Sequence, residues 1–181
     1  AWALVHDYGV AKGDRVAILS RNNPQWIMAF IAVVSIGAVA VPMNAWWTTE
    51  ELDYGLRDCG ARIVIADRQR SERLHPLQGP LGLHIIAIED CTGLAVDARP
   101  FTVVTGMHRG APMPEVEVAP DDFATIMYTS GSTGHPKGAL SSQRGILSAL
   151  YSWILLGAAG KIAAPPSEEP RFPPAGLLTI P

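Results

Sequence analysis

Short apolar runs alternate with amphipathic segments along the first 90 residues. The runs are rich in β-branched and other aliphatic residues, which is typical of strands buried on both faces of a sheet. They predict four strands, over residues 15–20, 38–41, 62–66 and 83–88. A fifth run at 123–128 predicts another strand, whereas residues 90–120 carry no clear pattern.

Capping residues mark the helices between these strands. Asn23 and Pro24 suit the N-cap and first turn of a helix that ends near Gly37. Thr48 and Glu51 form the capping-box pattern, in which each side chain bonds a free backbone N–H at the helix start. That helix is expected to run to about Asp58 and to end at a left-handed glycine, Gly60.

The alternation of strand and helix predicts the α/β class, with a mostly parallel sheet and helices on both of its faces. Beyond residue 138, Ser141 or Ser142 can cap a further helix. Its apolar residues form two neighbouring stripes. These are Ile146, Leu150 and Ile154 on one, and Leu147, Tyr151 and Leu155 on the other. Five prolines in residues 165–174 predict a linker.

The most apolar stretch, residues 26–41, is too short for a membrane span and is broken by Ser35 and Gly37. A buried helix that leads into a buried strand explains it better. The net charge of −3 comes without a dense block of Lys or Arg, so nothing in it requires nucleic acid. Cys59 and Cys91 have no nearby cysteine partner, which favours free thiols and a cytoplasmic protein.

A polar, glycine-rich loop at residues 128–138 follows the 123–128 strand. Glycine lets backbone N–H groups approach an anion closely, hydroxyls add donors, and a lysine adds charge. We therefore expect a polyphosphate cradle at the carboxyl end of the sheet, leading into the next βα unit. Its candidate ligands are Thr129, Ser130, Gly131, Ser132, Thr133, Gly134 and Lys137.

Two alternative interpretations of this loop were weighed. Composition alone favours a flexible surface loop, but the position directly after a buried strand argues for binding. The P-loop of NTPases requires Gly-Lys-Ser/Thr, whereas Lys137 stands between Pro136 and Gly138. The NTPase motif is therefore excluded.

The segment YTSGSTGHPKG resembles the signature loop of the acyl-adenylate-forming superfamily, which includes acyl-CoA synthetases, luciferases and peptide-synthetase adenylation domains. Upstream blocks are also similar, among them GDRVAI, NNP, GAVAVP, EELDY and DCGA. The Pro42-Met-Asn44 form is most similar to fatty-acid–CoA ligases. The family usually continues with Pro, where this chain has Ala45 and a Trp46–Trp47 pair. We interpret the tryptophans as packing residues first and as an acyl-channel or interface feature second.

The resemblance implies a two-step reaction, in which a fatty acid and ATP give acyl-AMP, and coenzyme A then takes the acyl group. Mg²⁺ would accompany ATP, and the seven candidate residues would contact its phosphates. His135 falls at the family's variable position and is expected to face solvent. The family's catalytic and metal-binding residues follow this loop, so none is assigned here.

The resemblance also implies a truncated, partial N-terminal domain over residues 1–164, with 165–181 as a Pro-rich loop and the start of the next element. Its first partner would be the missing remainder of its own chain. Uncovered apolar surface would favour homo-association, and the parent enzyme is expected in the cytoplasm or at a membrane periphery. The alternatives are a non-catalytic fragment or a binding module with at most weak nucleotide binding.

Overall fold

The computed structural model describes residues 1–130 and 135–163. Residues 1–66 contain three of the predicted strands and the two predicted helices between them. They are β1 (Arg15–Leu19), α2 (Pro24–Ser35), β2 (Val39–Pro42), α3 (Thr49–Cys59) and β3 (Ile63–Ala66). A short helix, α1 (Trp2–His6), precedes them and was not predicted.

Two further short helices, α4 (Arg68–Arg73) and α5 (His75–Leu81), lead to β4 (His84–Ala87). The region without a clear sequence pattern forms β5 (Ala98–Pro100) and α6 (Phe101–Gly106). The described chain then continues through β6 (Phe123–Thr129), β7 (Lys137–Ser142) and α7 (Gln143–Ala163). The predicted linker at 165–174 lies outside the described residues.

The described strands form one sheet in the order β5-β4-β3-β1-β2-β6-β7. All neighbouring pairs are parallel except β6 and β7, which are antiparallel. The predicted α/β class and mostly parallel sheet are therefore confirmed. The prediction that the loop leads into a βα unit is wrong, because it connects a hairpin. The β7 sequence, KGALSS, is small and polar, and its strand conformation depends on pairing with β6.

Alternate residues of the strands enter two cores on opposite faces of the sheet. Val16 and Ile18 pack under α1, α2 and α6, whereas Ala17 and Leu19 pack under α3 and α5. Both faces of the sheet are thus covered by helices, as predicted. No described helix has both the length and the apolar character that a bilayer crossing needs.

The predicted caps are present. Asn23 Oδ1 accepts a hydrogen bond from Trp26 N at 2.8 Å, and Thr48 and Glu51 form the reciprocal capping box at 3.3 and 2.7 Å. Gly60 ends α3 with a φ of 68°, a conformation that glycine adopts without steric penalty. Ser142 Oγ accepts from Gly145 N at 3.2 Å, so Ser142 rather than Ser141 caps α7.

The sequence also led to expectations about the two cysteines, the tryptophan pair and the last described helix. Cys59 and Cys91 are free thiols, and burial raises the pKa of Cys59. Trp47 is a buried packing residue, as predicted, whereas Trp46 is 62% exposed. Both apolar stripes of α7 contain exposed residues as well, with Ile154 at 63% and Leu155 at 67%.

Replacing the N-cap Thr48 by Ala should lower the free energy of unfolding by about 1 kcal/mol, because the Glu51 N–H loses its acceptor. Urea denaturation measures this change. Thr102→Ala, at an exposed position of α6, is the matched control and should change the free energy by less than about 0.5 kcal/mol. Equal losses in the two variants would contradict the capping role.

Candidate phosphate-binding site

The β6–β7 hairpin brings the two ends of the glycine-rich loop together. Thr129 pairs with Lys137 and Tyr128 with Gly138 in the antiparallel register. The loop leaves the carboxyl end of β6, which lies beside β2 in the parallel part of the sheet. This is the edge at which α/β folds bind ligands.

The structure locates the two ends of the predicted cradle. Thr129, Ser130 and Lys137 are exposed beside each other at the hairpin end. Gly131, Ser132, Thr133 and Gly134 lie outside the described residues. The hydroxyls that precede the loop tip and the cation that follows it therefore reach the same place from neighbouring strands.

A cavity of about 350 Å³ lies next to these residues. It is bounded by the turn after β2, the first turn of α3 and the two ends of the loop. Its lining residues are Asn44, Trp47, Glu51, Tyr128, Thr129, Ser130, His135 and Pro136. Cavities of roughly 300–1,000 Å³ hold small molecules in proteins, so this space suits part of a nucleotide.

Tyr128 anchors the first end of the loop to α3. Its hydroxyl donates to Asp58 Oδ2 at 2.6 Å, and the Gly55 carbonyl oxygen lies 3.2 Å from the same hydroxyl. Burial, followed by this bond to a carboxylate, raises the pKa of Tyr128 well above its usual range. Tyr128 thus keeps its proton at neutral pH and acts as a hydrogen-bond donor that holds the strand end.

Tyr54, one turn earlier on α3, holds the second end of the loop. Its hydroxyl donates to the Pro136 carbonyl at 3.3 Å, and its ring stacks on His135 at 5.0 Å and 24°. His135 is exposed, as the sequence predicted. It is nevertheless held by an aromatic neighbour, a contact that the sequence did not indicate. Helix α3 therefore contacts both ends of the loop.

Two glycines allow the close packing behind the cavity. A Cβ atom at Gly55 would lie 2.6 Å from Trp47 Cζ3, and one at Gly138 would lie 2.7 Å from Ile126 Cγ2. Trp47 fills the space above Gly55 and meets the Tyr128 ring edge-on at 5.3 Å. Gly138, which is not among the candidate ligands, lies against the side chain of Ile126.

The charged side chains of Glu51 and Lys137 near the cavity differ in whether they have hydrogen-bond partners. Glu51 is used by the capping box, where it accepts from Thr48 N at 2.7 Å. Lys137 is exposed, and its ammonium forms no ion pair or hydrogen bond with other described residues. Within residues 1–130 and 135–163, no three His, Cys, Asp or Glu side chains are grouped to hold a metal ion. The exposed ammonium of Lys137 and the hydroxyls of Thr129 and Ser130 are groups that can donate to an anion.

Sequence reasoning identified the ends of the loop but missed the side chains that support it. Tyr54, Gly55 and Asp58 lie within or beside the sequence blocks that resemble the family, which was the available signal. Gly55 and Asp58 contact Tyr128, and Tyr54 contacts Pro136, across 70 to 82 residues of the chain, so these contacts depend on the tertiary structure.

Comparisons with known proteins give a consistent result. The family of AMP-binding enzymes matches residues 1–166. The long-chain-fatty-acid–CoA ligase FadD13 of Mycobacterium tuberculosis is 35% identical over 147 residues, which are 80% of this chain and 28% of that protein. The 4-coumarate–CoA ligase 1 of Arabidopsis thaliana is 28% identical over 156 residues, which are 84% of this chain and 28% of that protein.

A solved structure, ATP-bound MatB from Rhodopseudomonas palustris, matches with a TM-score of 0.67 and 27% identity. The match covers 83% of this chain and 29% of that one. The chain thus spans less than a third of the length of these proteins.

Replacing Gly55 by Ala should lower the free energy of unfolding by about 1–3 kcal/mol, because the new methyl group overlaps Trp47. Urea denaturation measures this loss. Gly157→Ala is the control, since that helical glycine has open space around it and the change should stabilise the protein by up to about 1 kcal/mol. A neutral Gly55→Ala variant would show that Trp47 is not tightly packed.

The stability contributed by Tyr128 should decrease at alkaline pH. Folded Tyr128 keeps its proton where the unfolded phenol, with a pKa of about 10, loses it. Its contribution is therefore complete below about pH 10 and declines above it. Urea denaturation between about pH 9 and pH 11 should show a smaller decline in Tyr128→Phe than in the wild type. Tyr151→Phe, 63% exposed, should decline like the wild type, and three parallel curves would refute the effect.

Proposed function

The chain belongs to the AMP-binding enzyme family, and we propose that it supplies the loop that binds the ATP phosphates in a fatty-acid–CoA ligase. In the complete protein, a fatty-acid carboxylate would attack the α-phosphate of ATP to give acyl-AMP and pyrophosphate. The thiol of coenzyme A would then take the acyl group and release AMP. Because the chain is less than a third as long as its relatives, this reaction is assigned to the complete protein.

One observation carries this proposal. Lys137, whose ammonium has no ion-pair or hydrogen-bond partner among the described residues, lies across the hairpin from Thr129, and Thr129 lines the cavity. A free cation and exposed hydroxyls beside a preformed cavity suit a polyphosphate, whose oxygens accept hydrogen bonds. The same residues fit poorly to an apolar ligand.

The residues of this chain would act by position and charge. Negative charge grows on the departing pyrophosphate in the first step, and donors fixed in advance stabilise that charge without reorganising. Lys137 and the Thr129 and Ser130 hydroxyls would be such donors, together with Gly131, Ser132, Thr133 and Gly134. Tyr54 and Tyr128 would keep the two ends of the loop in place.

Mg²⁺ is proposed as the counter-ion that arrives with ATP and screens its phosphates. The described part of the chain offers no three-residue carboxylate or imidazole group for it. We therefore assign no residue of this chain as a metal ligand and derive no step that passes through the ion.

The acid is proposed to be a fatty acid. The similarity to FadD13, described as a long-chain-fatty-acid–CoA ligase, supports this at 35% identity. Relatives described as 4-coumarate–CoA ligase and feruloyl-CoA synthase, at 28% and 37% identity, make a hydroxycinnamic acid the alternative. Pyrophosphate exchange by the complete protein, with a fatty acid or with a hydroxycinnamic acid, separates the two. Faster exchange with the hydroxycinnamic acid would overturn the assignment.

Residues 1–164 are proposed as the N-terminal portion of the adenylation domain and 165–181 as the connection onward. Alone, the chain would bind the phosphates of ATP but would not catalyse acyl-AMP formation. The exposed apolar side chains of α7, including Tyr151, Trp153 and Leu155, would favour self-association of the isolated chain. A cytoplasmic location, with peripheral contact to membranes that hold the acid, is proposed for the complete protein.

Replacing Lys137 by Ala should weaken ATP binding about ten- to hundred-fold, which is the range for loss of a charge-assisted contact. Isothermal titration of the 181-residue chain with ATP measures this change. Lys12→Ala removes a lysine at the amino end of β1, where it pairs with Asp122 at 2.7 Å, and should leave ATP affinity unchanged. Equal affinities of Lys137→Ala and the wild type would overturn the proposed grip, and pyrophosphate exchange by this chain alone would overturn its inactivity.

A further inference from the structure

A polar network links the carboxyl ends of three adjacent strands. Asp67 follows β3 directly and is 6% exposed. Its Oδ2 accepts from Arg21 N at 3.1 Å, beyond the end of β1, and its Oδ1 accepts from Arg70 N at 3.0 Å, in the first turn of α4. One buried carboxylate therefore joins β1, β3 and α4.

Arg70 extends this network to the chain that follows β2. Its side chain is 2% exposed, and its Nη1 lies 3.0 Å from Asp67 Oδ2. On its other side, Nε donates to the Ala45 carbonyl at 2.8 Å. The fixed fork of a guanidinium can serve a carboxylate and a carbonyl at once. Arg70 thus ties the turn 44–47 to the end of β3.

Arg73, one turn later on α4, holds the same turn. Its Nη1 donates to the carbonyls of Ala45 and Trp47 at 3.1 and 3.0 Å. Trp46 lies above the network, with the guanidinium carbons of Arg21 and Arg70 at 5.0 and 5.8 Å from its ring centroid. The turn 44–47 is therefore fixed through its backbone and through one exposed indole.

This turn forms one wall of the candidate phosphate cavity. Asn44 and Trp47 line the cavity, and Trp47 meets Tyr128, which holds the start of the loop. We infer that Arg70, oriented by Asp67, is a positioning residue that sets the Asn44–Trp47 wall against the phosphate loop. The inference rests on the proposed function for the ligand, but the position of the wall can be measured without ATP.

A contribution to folding stability does not by itself explain the buried Asp67–Arg70 pair. A buried ion pair gains little over apolar residues of similar size, because desolvation offsets the attraction. Nη2 of Arg70 and Oγ of Ser71 are also buried without a partner among the described residues, which adds a cost. The hydrogen bonds to the Ala45 carbonyl, in contrast, hold the turn 44–47, whose residues Asn44 and Trp47 line the cavity.

Arg70→Lys is the informative variant. Lysine keeps a positive charge beside Asp67, but its single ammonium cannot also reproduce the planar Nε bond to Ala45. Arg68→Lys is the matched control on the same helix, because Arg68 donates to the carbonyls of Asp90 and Thr92 instead. The two variants make the same Arg-to-Lys change, once at a residue bonded to the turn 44–47 and once at a residue that is not bonded to it.

The wall is observed by fluorine NMR of the 181-residue chain carrying 5-fluorotryptophan, with the signals assigned through Trp46→Phe and Trp47→Phe. In Arg70→Lys, the Trp46 and Trp47 signals should shift or broaden while those of Trp2, Trp26 and Trp153 stay. The dissociation constant for ATP should rise about ten-fold, since small misplacements of binding groups are costly. Arg68→Lys should change neither.

Unchanged Trp47 signals in Arg70→Lys would overturn the inference, as would equal changes in all five tryptophans, which would indicate a general loss of structure. If Arg70→Lys does not fold, Arg73→Lys removes the other links to Ala45 and Trp47 from a less buried position, with the same expected result. If the wild-type chain does not bind ATP, the proposed function fails, and the tryptophan signals still decide the positioning role.

Discussion

The packing of Trp47 against Gly55 determines where the candidate site can form. The indole occupies the space that any side chain at position 55 would take, with only 2.6 Å between Trp47 Cζ3 and a Cβ built there. From this place it meets the Tyr128 ring, and Tyr128 in turn bonds Asp58 across the same helix. Helix α3, the turn after β2 and the end of β6 are therefore joined by direct side-chain contacts.

Both sides of the cavity are held by bonds to backbone carbonyls. Tyr54 donates to the Pro136 carbonyl on the loop side. Arg70 and Arg73 donate to the Ala45 carbonyl on the wall side. Such bonds fix the path of the main chain rather than the identity of one side chain, and a rigid support of this kind is what preorganised binding of a growing charge requires.

The sequence was informative wherever structure follows from neighbouring residues. Asn23, the Thr48–Glu51 box and Gly60 act within a single turn of helix, so their roles could be predicted and were confirmed. Strand β7 could not be predicted in this way, because Lys137–Ser142 has little strand propensity of its own and is a strand through its pairing with β6. The support of the loop by Asp58 depends on a contact across 70 residues, which no local pattern contains.

The cations at this edge of the sheet differ in whether their N–H groups already have partners within the protein. Arg70 and Arg73 have their donors directed at Asp67 and at the carbonyls of the turn, so little of their charge is available to a ligand. Lys137 carries the same charge, yet it has no partner in the described part of the chain and stands at the open side of the hairpin. The proposed contact of Lys137 with a phosphate would therefore form without first breaking an ion pair among the described residues.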